Sequence, residues 1–328
     1  MTNLAHAAAA SGTARTRPYV CTLLIPTKNG GELFRRVVAG LQAQTCWPDV
    51  EFLVVDSGST DDTIAIAKAA GAKVVSIPPA DFNHGATRDF GIGMAGTNRI
   101  VLTVQDAVPR DTTMIETLLR TLDEDNVAGV YAHQVAQPDA DVITKRNLER
   151  HYTGRPERVV QALASPEQYQ AMHPRERHAV CNFDNVCSAL RKDVWEQEKF
   201  GRINFGEDID WAERVLKRGY KIIYEPKAGV IHSHDRPISY EYKRTYVCHR
   251  KLYDLFGLEL LPTPRTAVRA YFHWTARDVY HILKRERRPW HLIVNILKAP
   301  ILNYFRILGV YQAERDEKLG IQKTVRGV

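Results

Sequence analysis

At 328 residues, with 44% hydrophobic and 25% charged side chains, the chain can bury a large core, and its composition excludes a disordered protein. Forty-five Lys and Arg against 38 Asp and Glu leave a net charge of +7, which suits an anionic partner such as a sugar nucleotide, a nucleic acid or an acidic membrane surface. Five cysteines with no CxxC pair exclude a disulfide framework and a cysteine-ligated zinc site, and point to reduced thiols in the cytosol. Residues 1–17 hold only a short alanine run with no basic residue before it, which predicts a disordered tail and no signal peptide. Strands are predicted at 19–25, 51–55, 73–77, 99–104 and 128–134, and helices at 32–44, 62–70, 86–94 and 112–122. Such alternation makes a mostly parallel α/β sheet with helices on both faces. The polar stretch 145–178 carries no strong strand and reads as an active-site lid or acceptor loop. A strand at 186–190, a helix at 206–219 closed by Gly219 and a strand at 221–224 follow, and the chain is helical, basic and aromatic from about residue 239.

The chemistry-bearing residues gather where strands end, because ligands of open α/β sheets sit beyond the carboxyl ends of the strands. The apolar run before Asp56 places that carboxylate, followed by Ser57, at such an end, while Ser59 or Asp61 reads as a cap for the next helix. Gln105-Asp106 closes a second strand, and there Asp106 suits a divalent cation or, more plainly, a turn. His84 and Arg88 lie four apart at a helix start, where backbone N–H groups favour a diphosphate; the plainer reading pairs Arg88 with a surface Asp. Gly91 to Gly96 matches GxGxxG, but it precedes a strand where a dinucleotide fingerprint must follow one, so it is rejected. Glu207 and Asp208 open a helix as a general base would, or as simple dipole-stabilised caps. His232 and His234 end a strand one residue apart, as metal ligands beside Asp106 or as hydrogen-bonded histidines.

Taken in order, Pro26-Thr27-Lys28-Asn29, Val55 to Asp61, Gln105-Asp106-Ala107 and Glu207-Asp208 resemble the motifs of inverting glycosyltransferases of family 2. The resemblance spans residues 19–236, and it implies a GT-A fold in which Pro26, Thr27, Asn29, Asp56, Ser57, His84, Arg88 and Gln105 serve the nucleotide-sugar donor. Asp106, His232 and His234 would hold Mg²⁺ or Mn²⁺, although Gln105 stands where the common motif has Asp. Asp208 or Glu207 would take the acceptor proton in a single displacement, with Asp208 favoured and Glu207 orienting it. The cation, Arg88 and His84 would stabilise the departing diphosphate. The stretch from Phe82 to Arg88, with Gln105-Asp106 and His232-Ser233-His234, is similar to the rhamnosyltransferases of the family. That implies dTDP-L-rhamnose as donor and a surface polysaccharide or lipid-linked oligosaccharide as acceptor. Another UDP- or GDP-sugar, or a non-catalytic sugar-nucleotide binder, is the alternative.

The implied division is a tail at 1–17, a GT-A catalytic domain at 18–238 and a helical basic region at 239–328. No uninterrupted stretch reaches the roughly 20 apolar residues of a membrane span. The longest, 291–310, is broken by Lys298, Pro300, Asn303 and Arg306. With its interleaved aromatic and basic residues this region suits the surface of a membrane, at the inner face of the cytoplasmic membrane, or packing between copies in a homodimer. A nucleic-acid partner has no use for three acids in one crevice and is excluded.

Overall fold

The computed structural model describes residues 18–234, 237–321 and 323; the predicted tail at 1–17 lies outside them. Strand β1 (Cys21–Thr27) leads through helix α1 (Gly31–Gln42) to β2 (Val50–Asp56), α2 (Thr63–Ala69), β3 (Lys73–Ser76), α3 (His84–Gly93) and β4 (Arg99–Thr103). These strands pair in parallel, in the order β3-β2-β1-β4, as the alternation predicts. After the two-residue β5 (Val108–Pro109) come α4 (Met114–Leu122), β6 (Val127–Val135), α5 (Val142–Glu149), β7 (Val159–Gln161), α6 (Pro166–Ala171) and α7 (Pro174–Val180). Then β8 (Cys187–Arg191) inserts antiparallel between β4 and β6, followed by α8 (Lys192–Gln197), α9 (Glu207–Lys217) and β9 (Lys221–Ile231), which lies parallel to β6. Among the described residues nine strands make one sheet, mostly parallel, with β5 and β7 antiparallel to β9 at its far end.

Side-chain alternation along the strands divides the core in two. Leu23, Ile25, Phe52 and Val54 meet Phe34, Val37 and Leu41 of α1 and Leu118 of α4 on one face. Leu24, Leu53 and Val55 meet Ile92, Trp195, Trp211 and Val215 on the other. Strands buried on both faces read as the continuous apolar runs seen at 21–25 and 52–55. The middle stretch departs from expectation: it holds three short helices and β7, whose Val159 and Val160 pair with β9. Three residues of strand within a polar segment leave too little alternation to be read.

The chain ends in α10 (Ile238–Phe256), α11 (Pro264–Arg285) and α12 (Pro289–Lys318). Leu252 and Phe256 of α10 join the core beside the sheet. Helix α12 runs on through Pro300, although proline removes an N–H from the helical ladder, because Asn295, Ala299, Leu302, Asn303 and Ile307 are buried on one side of it. With a mean hydropathy of 1.3 over its most apolar window, 39% of that window being buried, α12 is the one helix among the described residues long and apolar enough to cross a membrane. The helix runs unbroken through Lys298, Pro300, Asn303 and Arg306, which the sequence reading took as interruptions of the apolar stretch.

Candidate active site

Loops leaving β1, β2 and β4 form one rim of the crevice. Asp56 is fully buried at the end of β2. It accepts hydrogen bonds from the backbone N–H groups of Gly58 (3.0 Å) and Ser59 (2.9 Å) and from the hydroxyls of Thr27 (3.1 Å) and Ser59. Four donors offset the desolvation of the carboxylate, and they draw the turn into a shape in which Gly58 takes φ +87°. Ser57 donates its hydroxyl and its N–H to the Thr27 carbonyl. Ser59 does not cap α2: its hydroxyl accepts from the Asn29 N–H at 2.8 Å. Asp61 takes that role, accepting from the Thr63 N–H (3.0 Å) and hydroxyl and from the Gly31 N–H (3.0 Å), and the Thr63 bonds hold its pKa below the ordinary value. The Asn29 carbonyl oxygen of the side chain accepts from Thr60 N–H at 2.8 Å. Gln105 exchanges two bonds with the Lys28 peptide, accepting at 2.8 Å and donating at 3.1 Å. A carboxylate could not make that reciprocal pair, since it has no donor. Gln105 therefore ties the first loop to the end of β4. Pro26 stands beside it in β1, in register with Val55.

Asp106, His232 and His234 come together as read from the sequence. Their ligand atoms lie within 4.8 Å of one another, with Asp106 3.7 Å from His232 Nε2 and 3.5 Å from His234 Nδ1. The His232 Nδ1 meets the Gln134 side-chain oxygen at 3.1 Å, which fixes its proton there and turns the Nε2 lone pair toward Asp106. One carboxylate and two imidazoles around so small a volume suit a divalent cation.

The opposite rim is the start of α9. Gly206 caps it at φ +74°, and a β-carbon there would meet Lys251 Cγ at 2.9 Å, so a side chain would be strained by its backbone and would have to displace Lys251. Glu207 is buried and accepts from Arg88 Nη1 at 2.9 Å and Asn185 Nδ2 at 3.3 Å. Asp208 accepts from the Asn185 N–H at 3.3 Å and the Ile209 N–H at 2.9 Å. Burial, then the charges of Glu207 and Asp184, push its pKa well above the ordinary carboxylate range. A carboxylate so perturbed is a stronger base than an ordinary one.

Arg88 and His84 sit in surroundings that differ from those read from the sequence. Arg88 is only 6% exposed, and its guanidinium is engaged by Glu207 and by the His84 carbonyl (3.1 Å), so it neutralises a buried acid where a diphosphate contact was expected. Its partner is no surface Asp but a glutamate 119 residues away. The start of α3 is likewise closed: Asn83 accepts from Ala86 N–H at 3.0 Å and the Ile203 carbonyl takes the Gly85 N–H at 3.1 Å. Burial lowers the His84 pKa, which keeps its imidazole neutral at neutral pH and removes the positive charge expected there.

The sequence reading missed Gln134, Tyr152, Asp184 and Asn185. Gln134 bonds Asp184 as well as His232, and so joins the histidine cluster to the acids around Asp208. Asp184 accepts from the Val186 N–H at 2.9 Å and lies 3.5 Å from the Tyr152 hydroxyl, and burial raises its pKa. Polar side chains at strand ends after Tyr131 and before Cys187 were the available signal.

This architecture is of the GT-A type. The mannosyltransferase PcManGT from Pyrobaculum calidifontis, solved in complex with GDP-Man and Mn²⁺, shares the fold with a TM-score of 0.58 at 15% identity, over 94% of this chain and 89% of that one. The model of glycosyl transferase family 2 matches residues 22–197, more than half of the chain, and the chain belongs to that family. The O-antigen chain rhamnosyltransferase RfbN of Salmonella typhimurium is 28% identical over 229 residues, 69% of this chain and 70% of the relative. WbaN of Salmonella anatum, of the same description, is 28% identical over 231 residues, with the same coverage. Asp208, His232 and His234 lie past the segment that the family model matches.

Proposed function

We propose that this glycosyltransferase moves L-rhamnose from dTDP-L-rhamnose to a hydroxyl of a surface polysaccharide or lipid-linked oligosaccharide, by single displacement with inversion. The observation that carries the reading is the Asp208 carboxyl, raised in pKa beside an Arg88-bound Glu207 at the mouth of the crevice. Asp208 is the base, and it takes the acceptor hydroxyl proton as that oxygen attacks the anomeric carbon. Glu207 is held by Arg88 and Asn185, and it orients Asp208 and keeps its pKa high. The turn closed by Asp56, with Thr27, Asn29, Ser57 and Gln105 behind it, forms the floor for the nucleoside. Asp106, His232 and His234 would hold the divalent cation, which when bound supplies positive charge to the departing diphosphate. With two imidazoles in three ligands, Mn²⁺ suits the site better than Mg²⁺, which prefers oxygen throughout.

Rhamnose is supported by the names of the two Salmonella relatives. In the same reading residues 18–238 are the catalytic domain and the helices beyond them bring the enzyme to the cytoplasmic face of the membrane. The test is thermal unfolding with dTDP-, UDP- and GDP-sugars, with Mn²⁺ or Mg²⁺, followed by transfer to a glycan acceptor. At a hundredfold excess over Kd, dTDP-L-rhamnose should stabilise the fold by about 2.7 kcal/mol. Stabilisation by a UDP- or GDP-sugar alone would overturn the donor.

A further inference from the structure

From Pro264 to Ala313 the sequence carries nine Lys and Arg and two acids, Asp278 and Glu286. Both acids are withdrawn from the surface. Asp278 is fully buried between Arg146 Nη2 (2.6 Å) and Asn303 Nδ2 (3.0 Å). Glu286 is 6% exposed and accepts from the backbone of Arg287 and Arg288 and from the Arg288 guanidinium, each at 3.0 Å. Between residues 264 and 313 the charge that α11 and α12 show to solvent is therefore basic.

The apolar part is a stripe. Trp290, Ile293, Val294, Leu297, Ile301 and Tyr304 of α12 are 72%, 52%, 40%, 65%, 50% and 55% exposed, and their spacing of three and four places them on one face. On α11, Val268, Phe272, Tyr280 and Leu283 are likewise 57%, 66%, 66% and 56% exposed. Lys284, Arg285 and Arg287 crowd the turn between the helices, just before Trp290, the most exposed of these apolar residues. A soluble monomer rarely leaves so long an apolar face in water. The opposite side of α12 is packed inside the protein, so the stripe can enter a lipid interface only from one side.

We propose that this face docks, lying flat, on an anionic lipid surface: the stripe sinks to the level of the acyl chains, and the basic residues at the turn and along α11 meet phosphate headgroups. The proposal rests on the membrane placement given above and names the surface and the lipid charge that perform it. Helix α5 ties this face to the catalytic domain, through Arg146 to Asp278 and through Lys298 to Asp141 (2.9 Å). Docking thus fixes the attitude of the crevice relative to the lipid.

The test is co-flotation of the full chain with vesicles of phosphatidylcholine alone, or with one-third phosphatidylglycerol. Binding should be at least about tenfold stronger on the anionic vesicles and should weaken with salt. Leu297→Glu with Ile301→Glu, and separately Lys284→Glu with Arg287→Glu, should each lower it about tenfold or more, at unchanged circular dichroism and thermal midpoint. Equal binding to neutral vesicles, no loss in the folded variants, or resistance to carbonate extraction, as a spanning helix would show, would each overturn the proposal. A dimer in solution that Leu297→Glu dissociates would overturn it as well, by giving the face to a second copy. Donor binding measured on the same samples separates the two readings: intact donor binding without flotation sinks the surface alone, and flotation without donor binding sinks the proposed function alone.

Discussion

Two carboxylates on opposite rims of the crevice, Asp61 behind the nucleotide-side loops and Asp208 at the start of α9, are the same chemical group pushed in opposite directions. Asp61 is met by a hydroxyl and two backbone N–H groups and is held below its ordinary pKa. Asp208 is half-buried beside Glu207 and Asp184, and desolvation and their charges raise its pKa well above the ordinary value. The difference teaches what each rim does. Where donors surround an acid, the acid shapes the loop; where burial and like charge surround it, the acid is ready to take a proton.

The sharpest way to break this contrast is Asp208→Asn, which should lower kcat about a hundred- to ten-thousandfold while leaving the donor-induced thermal shift in place. Loss of that shift instead would show that the acid serves binding. Next, Arg88→Gln leaves Glu207 buried without its partner and should cost about 3–5 kcal/mol of stability in urea unfolding, far more than an exposed pair would. On the other rim, Asp56→Ala strips the Gly58 and Ser59 N–H groups of their acceptor and should cost about 1–3 kcal/mol, together with a weaker donor-induced shift. Gln134→Ala removes the hydrogen-bond partner of His232 Nδ1 and should weaken Mn²⁺ binding about ten- to a hundredfold by calorimetry, with the fold unchanged.

The smallest effect concerns pH. In the proposed role of base, Asp208 works only when deprotonated, so kcat should fall as pH drops through its raised pKa. Glu207→Gln removes the largest charge that raises it and leaves the Arg88 charge that lowers it, so the acid limb should move to lower pH. An acid limb that stays in place would assign the titration to another group.

The parallel half of the fold was legible because its strands are continuous apolar runs and its helices bury residues at regular spacing, as Phe34, Val37 and Leu41 do. The antiparallel insertion of β8 was not, since pairing partners as distant as Arg99 and Arg191 leave no local trace. The same holds within the site. Asp56, Asp106 and Asp208 announce themselves at strand and helix ends. The partner that redefines Arg88 lies 119 residues further on, and Gln134 reaches His232 across 98 residues. Local spacing finds the groups, and three-dimensional neighbours decide their charge.

Helix α9 and strand β9 are consecutive, and they carry the proposed base and two proposed cation ligands at their ends: Asp208 opens the helix, and His232 and His234 follow the strand. Residues 206–234 are thus a cassette. A graft of it into a relative of the same fold would carry the proposed base and two of the three proposed cation ligands together, but would need Asp106, Arg88 and Asn185 already in place in the host.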